Sequence, residues 1–461
     1  QIPAFKLILA LTEKYHALVM NPPYMGGGRF DEVLSKYVKD NYEEGKADLF
    51  SVFMQMGMER LISNGKMAQI NMQSWMFLSS FEKLRTQFLK NYNIDNMLHL
   101  GPRTFDELSG EVVQNTAFVL SKHEPTPQGG MYYRLIDGKN CADKEQLFLS
   151  HIHGNEDGNR IYYPNVEQNN FEKIPGCLIG YWLSMMVVNA FTADNIGDKM
   201  ITREGMATAD NDRFLRLWPE ISLSKFSKFN KDSDKWFPYN KGGGFRKFGN
   251  RDYLVNWSNN GYEIKHNIDP KTGRIRSHNY NGEYAFEECG TWSAISSGIF
   301  AIRYCESGFL WDSKGASGFS NDYLKYIIGL LNSNTSEKFL EVLAPTLDFK
   351  VGDIIKVPLI EKNKSFIEDV VQQNISISKS DWDAHETSWD FQRNELLSID
   401  TSTYMENIDY KIEKHFEETG EHISISPAAP KLGSLEWRME QYKTKWERKF
   451  MQLHKNEEEL N

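Results

Sequence analysis

Residues 17–24 read Ala-Leu-Val-Met-Asn-Pro-Pro-Tyr, and the two prolines constrain this chain more than any other feature. Proline has no backbone N–H and a locked φ, so neither a β-ladder nor a helix runs on through Pro22-Pro23. Asn21 and Pro22 each precede a proline, which holds both to extended backbone. A short buried strand, "YHALVM", is therefore expected to end at Asn21 with its exit direction set in advance. The next hundred residues alternate helix and strand. Leu49, Phe53, Met56, Met58 and Leu61 have helical spacing, in a helix expected to stop at Asn64-Gly65. "KMAQINM" reads as a strand, "SSFEKLRTQFLKNY" as a helix with a serine N-cap, and "NIDNMLHL" as a strand. After the loop "GPRTFDELSGE", "VVQNTAFVLS" follows as a last strand with no helix before it. That order predicts an open α/β sheet with an antiparallel edge.

Residues from about 125 to 170 are rich in Gly, Asn, Asp and His and read as a linker with short strands. The stretch to about residue 360 carries tryptophans, tyrosines, glycine clusters and short β-like runs such as "GIFAIRY". Near its end "SNDYLKYIIGLLNSNTSEKFLEVL" is an amphipathic helix pattern with a break expected around Asn332 to Thr335, followed by extended chain in "APTLDFKVGDIIKVPLI". The last hundred residues are polar and helical, ending in a charged helix with Leu435, Met439, Tyr442 and Trp446 on one stripe, read as a packing or partner helix. With 40% hydrophobic residues in 461, large cores are affordable and global disorder is excluded. No apolar run reaches the roughly 20 residues of a membrane helix, and no signal peptide is visible, so a cytoplasmic setting is expected. Cys141, Cys177, Cys289 and Cys305 form no CxxC and no Cys/His cluster, which points to neither a metal site nor a disulfide framework.

In open α/β sheets, ligands bind beyond the carboxyl ends of the strands, where Asn21 to Tyr24 lie. An amino group conjugated to an aromatic ring is a poor nucleophile because its lone pair is delocalised. Two acceptors that hold its N–H bonds pull the nitrogen toward tetrahedral shape and aim the lone pair. The Asn21 side-chain oxygen and the Pro22 carbonyl are candidates for the pair, with Pro23 fixing the carbonyl's direction. Tyr24 offers a face on which a planar substrate stacks. The bland alternative is a proline turn closing a strand. Gly26 to Gly28 read as a flexible loop; no Lys-Ser/Thr follows, so they are not a phosphate-binding loop.

"NPPY" at a strand end resembles motif IV of the S-adenosylmethionine-dependent amino-methyltransferases. More closely, "MNPPYMGG", "KADLFSVFMQMGMERLISNGKMAQINMQSWMFLSSFEKLR", "HLGPRTFDELSGEVVQNTAFVL", "KWFPYNKGGGFRKFGN" and "DWDAHETSWDF" are similar to blocks of the PglX family, the adenine-specific DNA methyltransferases of BREX phage-defence systems. The resemblance implies the C-terminal part of a Rossmann-like methyltransferase sheet in residues 1–150, an α+β target-recognition domain in 151–360 and a helical C-terminal region in 361–461. It implies that Asn21 and Pro22 hold the 6-amino group of a flipped adenine at the edge of the cofactor pocket, that Tyr24 stacks on the base, and that a second stacking aromatic follows, for which Phe105 is the candidate, a plain core residue being the alternative. S-adenosylmethionine is the implied cofactor, and double-stranded DNA and other phage-defence proteins the implied partners. The family's FxGxG cofactor motif precedes NPPY and occurs nowhere in this chain, so the catalytic domain is expected to be clipped at its N-terminus and the polypeptide inactive alone.

Net charge is −10, yet residues 225–276 hold 12 Lys/Arg against 5 Asp/Glu, interleaved with ten aromatics. That mixture suits phosphate contacts with base or sugar packing. Arg213, Arg216, Lys235, Lys241, Arg246, Lys247 and Arg251 are the candidate DNA contacts, although Asp210 and Asn211 also read as a plain helix cap. Competing readings are an amino-methyltransferase acting on RNA or on protein glutamine, and a DNA-binding or assembly subunit without catalysis.

Overall fold

Helix α1 (Ile2–Thr12) leads into strand β1 (Tyr15–Met20) in a computed structural model that describes residues 2–105, 113–152, 160–243, 249, 251–296, 298–345, 348–425 and 434–461. The chain divides into two units, Gln1–Ala193 and Asp194–Asn461. In the first, β1 is followed by α2 (Glu32–Asn41), α3 (Leu49–Arg60), β2 (Leu61–Met72), α4 (Glu82–Asn91), β3 (Asn93–Gly101) and β4 (Asn115–Ser121). Then come β5 (Gly130–Arg134), α5 (Cys141–Ile152), β6 (Tyr162–Val166) and α6 (Met185–Ala190). The six strands form one sheet in the order β1-β2-β4-β3-β5-β6. β1 runs parallel to β2, with Met20 opposite Gln69, while β4 is antiparallel to both β2 and β3.

Several expectations change here. β4 is antiparallel, as read, but it is wedged between two strands rather than lying at the edge. The presumed linker supplies β5, α5 and β6, because Tyr132, Leu135, Ile161 and Phe171 are buried and extend the core. α3 stops at Arg60 and β2 begins at Leu61; Asn64, with φ 61°, lies in an irregular excursion of β2, not at a helix end. α4 starts without a serine cap, behind Phe81. β1 is an edge strand and is not buried; Val19 is 85% exposed. The unit is held together partly by Arg85, fully buried, whose guanidinium donates to the carbonyls of Trp75 (2.9 Å), Leu78 (2.7 Å) and Gly176 (2.7 Å). A buried cation that satisfies carbonyls from separate segments stabilises their arrangement, and burial pulls its pKa down to about 10.

The second unit is built on β7 (Ile201–Arg203), α7 (Asn211–Phe214), β8 (Leu215–Leu217), β9 (Trp236–Asn240), β10 (Tyr253–Asn256) and α8 (Ser258–Lys265), then β11 (Cys289–Trp292), β12 (Ile302–Cys305), β13 (Leu310–Trp311) and β14 (Ser317–Phe319). These strands make two four-stranded sheets, β13-β9-β10-β8 and β12-β11-β14-β7. Phe226, Trp236, Leu254, Phe309, Trp311 and Trp389 pack in one core. Helices α9 (Leu324–Leu331) and α10 (Asn334–Leu343) flank a break at Asn332-Ser333, as expected, with Ser333 capping α10. The stretch read as extended contains a helical turn, α11 (Val351–Ile354). α12 (Lys364–Asp383), α13 (Thr401–Thr419) and α14 (Leu435–Leu460) complete the chain; α12 packs on α9 and α14, and α13 on α14. Cys289 and Cys305, sixteen residues apart in sequence, face each other across β11 and β12 as buried free thiols. Among the described residues, no helix is long and apolar enough to cross a membrane.

Candidate active site

The tip of β1 presents Asn21 exposed, Pro22 buried, Pro23 exposed and Tyr24 half-buried. The Tyr24 ring stands edge-on to Phe50, 6.2 Å between centroids at 86°, and Phe50 in turn packs on Phe81. Phe50 sits in the first turn of α3, so the helix start fixes the floor beneath the tyrosine. Asp48 ties the same corner down. Its carboxylate accepts from the N–H of Phe50 at 3.2 Å, capping α3, and from that of Met25 at 3.0 Å. Burial raises the Asp48 pKa against these bonds. Leu49 N–H donates to the Met25 carbonyl and Gly27 N–H to the Ala47 carbonyl, both at 2.9 Å. A Cβ on Gly27 would lie 2.5 Å from the Lys46 carbonyl oxygen, so this glycine permits a close approach. The residues after NPPY are a fastened loop, where flexibility was expected.

The Tyr24 hydroxyl has two amide neighbours. Asn115 Nδ2 donates to it at 3.1 Å, and it lies 3.4 Å from Asn21 Oδ1. Asn115 Nδ2 also donates to the Asn71 carbonyl at 3.2 Å. Burial is the larger influence on the phenol and raises its pKa, with the charge of Asp48 adding to this and the Asn115 bond opposing it. Tyr24 is therefore a neutral ring at physiological pH. Asn115 begins β4 opposite Met72, so the reversed strand brings its amide to the carboxyl ends of β1 and β2. Asn71 and Asn115 are fully buried, and their Oδ1 atoms find no hydrogen-bond donor among the described residues.

A second chain of polar groups crosses the same end of the sheet. Gln73 donates through Nε2 to Gln114 Oε1, leaving its own Oε1 as the acceptor for His99 Nε2 at 2.7 Å. His99 Nδ1 then accepts from the Tyr181 hydroxyl at 3.0 Å. The imidazole is neutral, because burial, and then the charges of Arg134 and Lys144, push its pKa down to about 3. Phe105 is half-buried, four residues beyond Gly101, whose strand partner is Asn115. Asn71, His99, Gln73, Gln114 and Asn115 were not singled out from sequence. For Asn71 and Gln73 the signal is a run of amides at alternate positions, Gln69 and Asn71 within β2 and Gln73 just past its end, where the strand's pattern demands apolar inward residues.

The basic segment is arranged differently. Arg251 is 3% exposed and pairs with Glu306 at 2.8 Å, over the ring of Phe309. This corrects its assignment to a DNA-facing surface; the sheet core claims it. Asp210 caps α7, as the plain alternative held. Arg213 is exposed and pairs with Glu263 at 3.3 Å, and Arg216 is half-buried, bonded to the carbonyls of Asp212 and Leu215. Lys235 is exposed; Lys241 is half-buried with its ammonium 4.8 Å from the Tyr253 ring centroid. Arg246 and Lys247 lie outside the described residues. Trp236, Tyr239 and Trp257 are buried, so these aromatics serve the core and not a ligand.

Residues 3–105 match the family model described as the Eco57I restriction-modification methylase. The chain is 42% identical over 465 residues to the adenine-specific methyltransferase PglX of Lacticaseibacillus casei (strain Zhang), covering 98% of this chain and 36% of that protein. It is 38% identical over 404 residues to the adenine-specific methyltransferase BrxX of Escherichia coli O9:H4 (strain HS), covering 86% of this chain and 32% of that one. The chain thus spans about a third of the length of the curated relatives it matches. The fold is similar to that of the type IIL restriction-modification enzyme MmeI, solved in complex with DNA, with a TM-score of 0.53 at 12% identity over 94% of this chain and 57% of that one. The resemblance to PglX read from the sequence blocks is borne out by these matches.

Proposed function

We propose, from the premise that this chain is a relative of the adenine-specific methyltransferases PglX and BrxX, that it carries the base-binding end of a DNA adenine methyltransferase acting in phage defence. The single observation that carries the reading is the exposed Asn21 amide beside the half-buried Tyr24 ring at the carboxyl end of β1. S-adenosylmethionine, when bound, supplies an electrophilic methyl group on a sulfonium. Asn21, an exposed amide at the carboxyl end of β1, and Pro22 beside it would hold the edge of its pocket, at the end of the strands where open α/β sheets bind ligands. An adenine flipped out of the duplex stacks on Tyr24, with Phe105 as the second aromatic. The Asn21 oxygen and the Pro22 carbonyl accept its two amino N–H bonds and turn the nitrogen lone pair outward. The chain's own part would end with that aim: the lone pair would face the methyl group, and the proton shed by the alkylated nitrogen would pass to water. No strong base is required, since the alkylated nitrogen is acidic.

In this reading the end of the catalytic domain runs on past the expected residue 150 to about 193, because β6 completes its sheet, 194–360 hold target recognition and 361–461 are a helical region. Arg213, Arg216, Lys235 and Lys241 face double-stranded DNA. Long-read sequencing of DNA from cells carrying the full-length gene, with and without Asn21→Ala, tests it. Methylated adenine at one sequence, lost in the variant, is the expected result. Methylation found in RNA or on protein instead, or in neither with DNA binding intact, assigns the protein to the competing classes.

A further inference from the structure

We infer that Asn115 is a positioning residue: its buried amide sets the plane of Tyr24 and so the plane of the stacked base. The inference rests on the proposed adenine chemistry and deepens it. Asn115 and Asn71 are fully buried, Asn71 on the sheet face that also carries Met67, Phe118 and Leu120 and Asn115 at the end of β4. Each carries an amide oxygen without a donor among the described residues, which costs stability. An apolar side chain at 115 would avoid that cost. What the asparagine does here is donate to the Tyr24 hydroxyl at 3.1 Å while anchored on the Asn71 carbonyl at 3.2 Å. A phenol with one edge on Phe50 and its oxygen on a strand-fixed amide loses the freedom to swing. The same hydroxyl sits 3.4 Å from Asn21 Oδ1, so the ring's setting also governs how freely that oxygen meets an incoming amino group.

The geometry separates this role from a merely structural one. Asn115→Leu removes the donor and the unsatisfied oxygen together, so melting should not fall. Turnover should fall about tenfold to a hundredfold with KM for DNA little changed, since loss of alignment acts on the chemical step. Tyr24→Phe removes the hydroxyl, and adding Asn115→Leu to it should then change turnover no further. With 2-aminopurine at the target adenine, the wild type should quench the base by stacking and Asn115→Leu should leave it brighter. In protein with 13C-labelled tyrosine rings, the resonance missing from Tyr24→Phe identifies Tyr24, and Asn115→Leu should shift and mobilise it alone.

Wild-type turnover and KM in Asn115→Leu, or additive losses in the double variant, would overturn the inference while leaving the adenine reading intact. If the full-length protein that carries this chain methylates no adenine, the adenine reading fails. The tyrosine resonance then still decides: a signal unmoved by Asn115→Leu sinks the strut, and a mobilised one upholds it.

Discussion

The strand tip at Asn21 to Tyr24 and the basic segment at 225–276 are both conspicuous in sequence, and the molecule treats them in opposite ways. At the tip, covalent geometry does the aiming. Two prolines leave the backbone few options, and the neighbours Phe50, Asp48 and Asn115 hold what the prolines set. In the basic segment only composition was legible, and composition does not say which side of a strand a cation occupies. Arg251, which looked like its neighbours, is an ion-pair partner inside the fold. A motif whose constraint is steric survives translation from sequence to structure; a charge count is redistributed by packing.

The sharpest way to break this contrast is Asn21→Ala. The side chain is exposed, so folding stability should move by less than ~0.5 kcal/mol, while adenine methylation falls at least ~100-fold through loss of one preorganised acceptor. A variant that melts several degrees lower would place Asn21 among the supports and dissolve the distinction.

Acid should distinguish the two regions next. The His99 pKa lies at about 3 in the folded chain against an ordinary 6.5, so between those values the unfolded chain takes up a proton that the folded chain refuses. Stability from this group is whole above pH 6.5 and is lost progressively as pH falls toward 3, by a few kcal/mol in order of magnitude. His99→Gln should flatten that slope in unfolding experiments between pH 4 and 7. An unchanged slope would mean that the Tyr181–His99–Gln73–Gln114 chain opens to water before the fold does.

Arg251 sharpens the comparison from the other side. Arg251→Ala strands Glu306 in a partly covered position, and the expected cost is about 2–3 kcal/mol, lower than for a fully buried pair because Glu306 is 35% exposed. The loss should appear in thermal unfolding. DNA affinity measured well below the melting temperature should hold. A variant that kept its stability and lost DNA binding would restore Arg251 to the surface role first assigned to it.

How much could be read in advance follows the same physics. β1, β3 and β4 were visible because apolar runs bounded by turn residues have few alternatives. The insertion of β4 between β2 and β3 was not, since strand order is set by pairing between segments far apart in sequence. Nor was the exposure of Val19, because an apolar strand reads the same whether or not a neighbour covers it. Short strands were legible between 125 and 170, but that β5 and β6 extend the main sheet was not, because tyrosines in Gly- and Asn-rich chain become core only once α5 and the segment around Phe171 pack on them. At the site, NPPY was legible. Its strut was not, because Asn115 is an ordinary residue until a reversed strand delivers it to Tyr24.

Lys235 should give the smallest effect, and one of a different kind. It is exposed and lies just before β9, so Lys235→Ala should leave stability within ~0.5 kcal/mol. If it meets a phosphate, affinity should weaken alike for every DNA sequence, and the slope of log affinity against log salt should fall by about one. Binding of specific and random duplexes across a salt series reads both quantities at once. A loss confined to the methylated sequence would show that this lysine reads a base edge. The basic segment would then hold at least one residue as individually decisive as Asn21, and the contrast between a steric motif and a charge count would narrow to Arg251 alone.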